Sequence, residues 1–372
     1  MKSNAVLRIA VIKTDGIGDA VLASPFLFEL RKNFRAAHIT GILSPGGEQV
    51  LGDIGVLDEV KIVDPKWLKY KKTFFLTRWL SAFSLLLMIN KGRYDIVIGL
   101  RWQDRLTSLI ISMCNAKDKY GYDTGGMGFG INHKVPMLAH NAHVIERNMN
   151  VLKQILPEKK FGIKPGISYC RDAAPRPSKH GEDGYCVSAQ GLSGSEQPLY
   201  SVLKGSKKKY IVIHPVSGCP SKDWPIEKYA ELSKNLAKKM PVYIIGTPND
   251  PGIKTITGKN IHNTAGELSI RGIATLIKGA SMVIGNDSAA VHIASAFDVK
   301  SLTLFSGSAL YEEWGAYGKN SYILTKDVVC RECELAVCDK KVHECMEFEV
   351  EEVEKLLHQI ISGRQKARII KA

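Results

Sequence analysis

Strand-like apolar runs alternate with helix-length segments in two separate series, and this pattern constrains the fold of the 372-residue chain more than any other feature. The first series occupies residues 7–156, and the second begins at residue 210. Strands joined by helix-length crossovers predict parallel sheets covered by helices on both faces. Residues 157–208 are rich in Pro, Gly, Ser and charged residues and lack the pattern, as expected for a link between domains.

We therefore predict an α/β protein with two doubly wound, Rossmann-like domains that face a central cleft. The first domain covers residues 1–180, a linker follows in 181–208, and the second domain covers 209–347. A final helix and a basic tail occupy residues 348–372. In folds of this kind, ligands collect at the carboxyl ends of the strands.

Composition and charge narrow the class of protein and of partner. Hydrophobic residues make up 45% of the chain and charged residues 24%, which describes a folded protein and excludes a disordered one. The formal net charge of +14 favours an acidic partner such as anionic lipid, a phosphorylated glycan or nucleic acid. Because no nucleic-acid recognition motif accompanies this charge, we expect no nucleic-acid partner.

The N-terminus and the apolar runs predict a cytoplasmic protein. No cleavage-site pattern follows Met1, and the longest apolar run, residues 74–89, is broken by polar residues and falls short of the ~20 residues of a membrane span. In that compartment the eight cysteines are expected to be thiols or metal ligands, with disulfides less favoured.

Residues 281–295 predict a phosphate-binding turn, because a short apolar strand leads through Gly285 and Ser288 into a helix of small residues. Gly285 permits a tight turn and Ser288 can cap the helix, whose free N–H groups would face a phosphate. His292 lies one helical turn after Ser288, although a lone helical histidine is also common in protein cores.

Two further strand–loop–helix segments carry polar side chains. In residues 214–225, Ser217 offers a hydroxyl and Lys222 offers a point charge suited to phosphate or simply solvated. After the first strand, Asp19 begins a helix, where a carboxylate serves as a cap or faces a ligand. A dinucleotide site is not favoured there, because Val21 replaces the third glycine of the fingerprint.

Together these segments resemble glycosyltransferase family 9, the heptosyltransferases that build the inner core of bacterial lipopolysaccharide. The motifs that carry the resemblance are Lys13-x-x-Gly16-x-Gly18-Asp19, His214-Pro through Lys222-x-Trp224-Pro225, and Gly285-Asn286-Asp287-Ser288 with His292. The sequence differs from the usual family pattern at Ala289, Val216 and Asp15, and these differences concern the donor more than the fold.

The resemblance implies a GT-B architecture, with the acceptor mainly on the first domain and a nucleotide sugar, ADP-heptose, on the second. It also implies inversion at the anomeric carbon with no cofactor required for catalysis, and an anionic lipid-linked saccharide at the inner membrane surface as acceptor. There are two alternatives. One is a transferase of the same fold that uses another donor for surface-glycan assembly, and the other is a catalytically inactive sugar-nucleotide-binding protein. The presence of Asp19 argues against inactivity.

The resemblance also assigns roles to single residues. Asp19 would be the general base, while Lys222 and the N–H groups after Asp287 would stabilise the departing diphosphate. The remaining donor-side residues are expected to be Ser217, Asp287, Gly285, Ser288 and His292. On the acceptor side the expected residues are Lys13, Gly16 and Gly18 of the first motif. Arg101 and Arg105 are added to them because they follow a strand end that should face the cleft.

Two other segments have functional interpretations. Helix 74–89 is either core or a helix that dips into a bilayer surface, which would make the protein peripheral on the cytoplasmic face of the membrane. Four cysteines within sixteen residues can close a tetrahedral structural zinc site, or remain free thiols. These cysteines are Cys330, Cys333, Cys338 and Cys345.

Overall fold

The computed structural model describes residues 6–52, 54–64, 75–161 and 209–372. Its contacts divide the chain into two compact units, Met1–Ser188 and Ala189–Ala372. Each unit has one sheet, and every strand pair in the described residues is parallel. The predicted α/β class with two doubly wound units is confirmed. The predicted linker, residues 181–208, lies outside the described residues.

The first unit has a six-stranded sheet covered by helices. Its strands are β1 (Arg8–Lys13), β2 (His38–Leu43), β3 (Glu59–Ile62), β4 (Ile96–Gly99), β5 (Asp118–Gly121) and β6 (His133–Lys134). Its helices are α1 (Ile17–Asn33), α2 (Pro45–Leu51), α3 (Phe75–Gly92), α4 (Arg105–Met113) and α5 (Val144–Ile155). The strand order is β3-β2-β1-β4-β5-β6.

The second unit repeats this arrangement with one more strand. Its strands are β7 (Ile211–His214), β8 (Val242–Ile244), β9 (Ile261–Asn263), β10 (Met282–Asn286), β11 (Ser301–Phe305), β12 (Ser321–Thr325) and β13 (Ile369–Lys371). Its helices are α6 (Ile226–Ala237), α7 (Ile270–Lys278), α8 (Ala289–Ala296), α9 (Tyr311–Trp314) and α10 (Val350–Ile361). The strand order is β13-β12-β11-β10-β7-β8-β9.

Burial explains why the central strands are apolar along their whole length. All residues of β10 and β11 are buried, because helices cover both faces of a parallel sheet. In the first unit, Leu85 and Ile89 of α3 pack with Ile111 of α4 over the sheet. No helix among the described residues is long and apolar enough to cross a membrane.

The last helix and the basic tail belong to the second unit. Helix α10 buries Val353, Leu357 and Ile360 in the core of that unit, and β13 pairs with β12 as the edge strand. From the sequence, residues 348–372 were predicted to lie outside the second domain. A three-residue edge strand inside a basic tail has almost no hydrophobic pattern by which it could be recognised.

The strand order reverses once in each sheet, and these two places position the predicted motifs. The reversal lies between β1 and β4 in the first sheet and between β7 and β10 in the second. Loops that leave adjacent strands at such a point run to opposite faces and leave a crevice beyond the carboxyl ends of the strands. Lys13 ends β1, and Asn286 ends β10.

Candidate functional site

In the first unit, the turn after β1 brings charged side chains together. Lys13 is only 1% exposed, and its Nζ donates to Asp15 Oδ2 at 2.5 Å. The same Nζ lies 3.7 Å from Asp19 Oδ1. Asp15 also accepts a hydrogen bond from Arg101 Nη1, so one buried carboxylate lies between two cations that follow different strands.

Asp15 is the main counter-ion in this turn. Burial opposes its ionisation, but Lys13 and Arg101 outweigh burial and hold the pKa of the carboxyl below its ordinary value. Asp19 is more open, with 27% of its side chain exposed. It lies in the first turn of α1, where the positive end of the helix dipole stabilises a carboxylate. Of the two carboxylates, Asp19 is therefore the more exposed, and its contact with a ligand stays a prediction.

The other residues predicted for the acceptor side have structural surroundings of their own. Gly16 is the residue before α1, and Gly18 lies in its first turn. Arg101 is paired with Asp15, and Arg105 begins α4 with its side chain against Gly125, which follows β5. Their contact with an acceptor stays a prediction.

In the second unit, Lys222, Asp287 and His292 form one cluster. Lys222 Nζ donates to Asp287 Oδ2 at 2.6 Å, and His292 Nε2 lies 3.6 Å from Asp287 Oδ1. Burial opposes the ionisation of Asp287, but Lys222 and His292 outweigh it and lower the pKa of the carboxyl to about 2. In the described part of the chain, His292 Nδ1 is buried without a hydrogen-bond partner.

Asn286 links the chain segments that carry this cluster, although no role was predicted for it from the sequence. Its Oδ1 accepts from Trp224 N at 3.2 Å and from the Tyr229 hydroxyl at 2.8 Å. Its Nδ2 donates to Pro215 O at 2.9 Å and to Asp223 Oδ1 at 3.0 Å. The sequence signal that could have identified it is an asparagine at the end of an apolar strand. Such an amide is expected to be buried and must then have hydrogen-bond partners.

Two expectations about the turn after β10 were wrong. Ser288 occupies the N-cap position, but its hydroxyl makes no capping bond and lies 2.8 Å from His214 Nδ1 instead. Gly285 lies within β10, not in a turn. A side chain there would approach the His214 carbonyl oxygen to 2.8 Å, so close strand packing requires this glycine.

Ser217 braces the loop that carries Lys222. Its hydroxyl donates to Cys219 O at 2.8 Å and accepts from Cys219 N at 3.1 Å. Its backbone N–H donates to Asp223 Oδ1 at 2.7 Å. These bonds fix the loop conformation, and contact of Ser217 with a phosphate stays a prediction.

The four clustered cysteines are free thiols. Burial raises the pKa of Cys345, and Cys330, Cys338 and Cys333 add to that effect, which shows that the four residues lie near one another. Among the described residues, however, no group of three or more His, Cys, Asp or Glu side chains is arranged to hold a metal ion. The thiol positions therefore do not support the predicted zinc site.

A family model described as "Glycosyltransferase family 9 (heptosyltransferase)" matches residues 83–343 of this chain. The matched region includes Lys222, Asp287 and His292 and begins after Asp19. The match therefore covers the whole donor-side cluster.

Individual relatives extend this similarity over most of the chain. Lipopolysaccharide heptosyltransferase 1 of Campylobacter coli is 24% identical over 317 residues, which are 82% of this chain and 85% of the relative. The crystal structure of a family 9 glycosyltransferase from Veillonella parvula covers 96% of this chain and 97% of its own, at 19% identity and a TM-score of 0.73. The E. coli heptosyltransferase WaaC with ADP-2-deoxy-2-fluoro heptose covers 95% and 99%, at 16% identity and a TM-score of 0.66.

We predict that the unfolding free energy falls between pH 6.5 and pH 4, in part through His214. Burial lowers the pKa of this histidine from 6.5 to about 4, although Asp250 opposes the shift. Between these values the folded chain binds fewer protons than the unfolded chain, so acid favours unfolding by up to about 3 kcal/mol. Chemical denaturation at several pH values should show a weaker dependence in His214→Asn.

The matched control is His262→Asn, because His262 is an exposed histidine of the same sheet. This control should keep the wild-type dependence on pH. An unchanged dependence in His214→Asn would contradict the prediction.

Proposed function

This chain belongs to glycosyltransferase family 9 (heptosyltransferase) and is a glycosyltransferase, and we propose that it transfers heptose from ADP-heptose to a lipopolysaccharide-core or other lipid-linked saccharide. The observation that carries the proposal is the cluster of Lys222, Asp287 and His292 at the N-terminus of α8. A cation and free backbone N–H groups at a helix N-terminus suit a diphosphate. The WaaC complex with an ADP-heptose analogue supports this choice of donor.

The reaction begins with removal of a proton from the acceptor hydroxyl. Asp19 takes that proton while the acceptor oxygen forms a bond to the anomeric carbon on the face opposite the ADP. The bond from the anomeric carbon to the β-phosphate oxygen breaks at the same time, so the configuration inverts and ADP leaves. Asp19 lies in the first turn of α1, where the positive end of the helix dipole stabilises a carboxylate.

The departing ADP gains negative charge, which the donor-side cluster stabilises. Lys222 supplies the positive charge, and the backbone N–H groups at the start of α8 supply hydrogen bonds. Asp287 is ionised at neutral pH, because its pKa is about 2, and it holds Lys222 in one orientation before the donor arrives. We expect His292, whose Nε2 lies 3.6 Å from Asp287 Oδ1, to assist at the phosphate oxygens.

We predict that Asp19→Asn lowers kcat for heptosyl transfer by at least about 10²-fold and leaves ADP affinity close to that of the wild type. The amide keeps the shape of the side chain but cannot accept the proton. The measurement is turnover with a panel of nucleotide sugars that includes ADP-heptose, together with calorimetric binding of ADP.

The matched control for this experiment is Asp118→Asn, since Asp118 is a similarly exposed carboxylate of the same unit and pairs with His133. Transfer that survives unchanged in Asp19→Asn would refute the role of Asp19. Turnover only with another nucleotide sugar would refute ADP-heptose as donor.

We also propose that α3 lies on an anionic bilayer surface at the cytoplasmic face of the membrane, where a lipid-linked acceptor is found. One face of α3 is in the core, and the other exposes a stripe of Trp79, Leu80, Phe83 and Leu87, each between 45% and 58% exposed. The helix contains Arg78 and Lys91 and no acidic residue.

The position of α3 favours this proposal. The helix lies between β3 and β4 in the chain, so it begins at the edge of the sheet where the strands have their carboxyl ends. Asp19 follows β1 at the same edge. Apolar aromatic and aliphatic side chains with basic neighbours are typical of helices that bind in the plane of a membrane interface.

We predict that the wild-type chain sediments with vesicles that contain anionic phosphatidylglycerol and that Trp79→Ser/Phe83→Ser binds them at least about 5-fold more weakly, because it loses apolar burial. Met137→Ser is the matched control, as an exposed apolar residue of the same unit outside α3. Equal sedimentation of all three proteins would contradict the proposal. So would a concentration-dependent dimer that the double variant abolishes, because the stripe would then be a dimer surface.

The four-cysteine segment still carries the proposal of a structural zinc site. Its support is the sequence spacing of Cys330, Cys333, Cys338 and Cys345, four cysteines within sixteen residues. We predict about one equivalent of zinc in protein purified without chelator, measured by elemental analysis, and its loss in Cys330→Ser/Cys333→Ser. Metal-free wild-type protein with all thiols open to titration would contradict the site.

A further inference from the structure

The loop that carries Lys222 is tied to a distant part of the chain through Ser221. Ser221 is 2% exposed, and its backbone N–H donates to Ala336 O at 3.1 Å. Its hydroxyl donates to Leu335 O, and its carbonyl oxygen lies 3.0 Å from His343 Nε2. Because a carbonyl only accepts hydrogen bonds, His343 Nε2 is the donor in the last of these.

All three polar groups of Ser221 are therefore held by residues 330–345, which we call the strap. The strap contains the four clustered cysteines. Cys219 adds to the contact, since its Sγ lies 3.4 Å from Ala336 O. Within the second unit, the strap therefore holds Ser221, which directly precedes Lys222.

The strap is itself anchored beside the sheet. Glu332 N donates to Gly307 O at 2.6 Å, and Glu334 N donates to Ser308 O at 3.0 Å, which fixes the strap to the loop after β11. Arg331 Nη2 donates to Glu312 at 2.9 Å. The strap thus connects the loop after β11 to the loop after β7.

The strap adds to the bonds of Ser217 and Asn286 that hold the loop after β7. Between Ser217 and Lys222 the described backbone forms one short 3-10 turn, Pro220–Lys222, and the lysine ends that turn outside any α-helix or strand. A long, flexible lysine side chain gains from a fixed backbone, because its charge-assisted hydrogen bond to a phosphate forms only within a narrow range of distances.

We propose that the strap positions Lys222 for the diphosphate of the donor and that His343 is a positioning residue acting through the carbonyl of Ser221. This inference rests on the proposed function, in which Lys222 binds the donor diphosphate. It gives the strap a role in donor binding that does not depend on whether its cysteines hold a metal.

The test compares ADP with adenosine, measured by calorimetry on the full chain. Lys222→Ala should weaken ADP binding at least about 10-fold. His343→Ala should weaken it about 5- to 10-fold, as expected for a lost buried hydrogen bond. Adenosine, which lacks phosphate, should bind both variants like the wild type. His343→Gln should restore much of the ADP affinity, because its amide can donate to the same carbonyl.

Two further variants sharpen the result. His358→Ala is the matched control, since His358 lies in α10 and pairs with Lys239 outside the strap. In Lys222→Ala/His343→Ala, the loss caused by His343→Ala should disappear, because a residue that acts through Lys222 has no effect without it.

The outcomes separate this inference from the proposed function. Unchanged ADP affinity in Lys222→Ala would overturn the donor-site assignment and the inference with it. If Lys222→Ala binds ADP more weakly but His343→Ala binds ADP like the wild type, the inference alone is overturned. Equal loss of ADP and adenosine binding in His343→Ala, or additive losses in the double variant, would also overturn the inference, because His343 would then support the unit in general.

Discussion

The buried amide of Asn286 is the contact on which the loops of the second unit depend. It joins the end of β10 to Pro215 after β7, to Asp223, and to Trp224 and Tyr229 at the start of α6. Every hydrogen-bonding position of the amide is used, so none of its burial cost is left uncompensated. Both members of the Lys222–Asp287 pair are next to this amide or its partner in the chain. Asp287 directly follows Asn286, and Lys222 directly precedes Asp223.

Both units place a lysine against a carboxylate where the strand order reverses. In the first unit the pair is Lys13 and Asp15, and in the second it is Lys222 and Asp287. Removing the partner of a buried charge costs about 3–5 kcal/mol, and the buried members are Lys13 in the first pair and Asp287 in the second, so each pair also restrains the loop around it. In the first unit this leaves Asp19 as the more exposed carboxylate, the group to which we assign the proposed proton transfer.

Several parts of the site were predictable, because they depend on neighbours along the chain. Asp19 lies at the start of a helix after an apolar strand, and Lys222, Asp287 and His292 lie in the loops and helix where the pattern predicts them. The capping role of Ser288 was wrong, because His214, which is remote in sequence, competes for its hydroxyl. The local sequence indicates which hydrogen bonds a side chain can make with its neighbours. A partner that is remote in sequence decides which of these bonds forms in the folded chain.

The sequence by itself determined the alternation of strands and helices, hence two parallel sheets with polar loops at their carboxyl ends. Those features follow from hydrophobic periodicity and backbone hydrogen bonding, which act over short stretches. Only the tertiary structure decided that Asp15 neutralises Arg101, that Asn286 binds four partners, and that Ser221 is held by residues 330–345. These contacts join residues separated by 57 to 122 positions, and the chain order contains no periodic signal for such pairs.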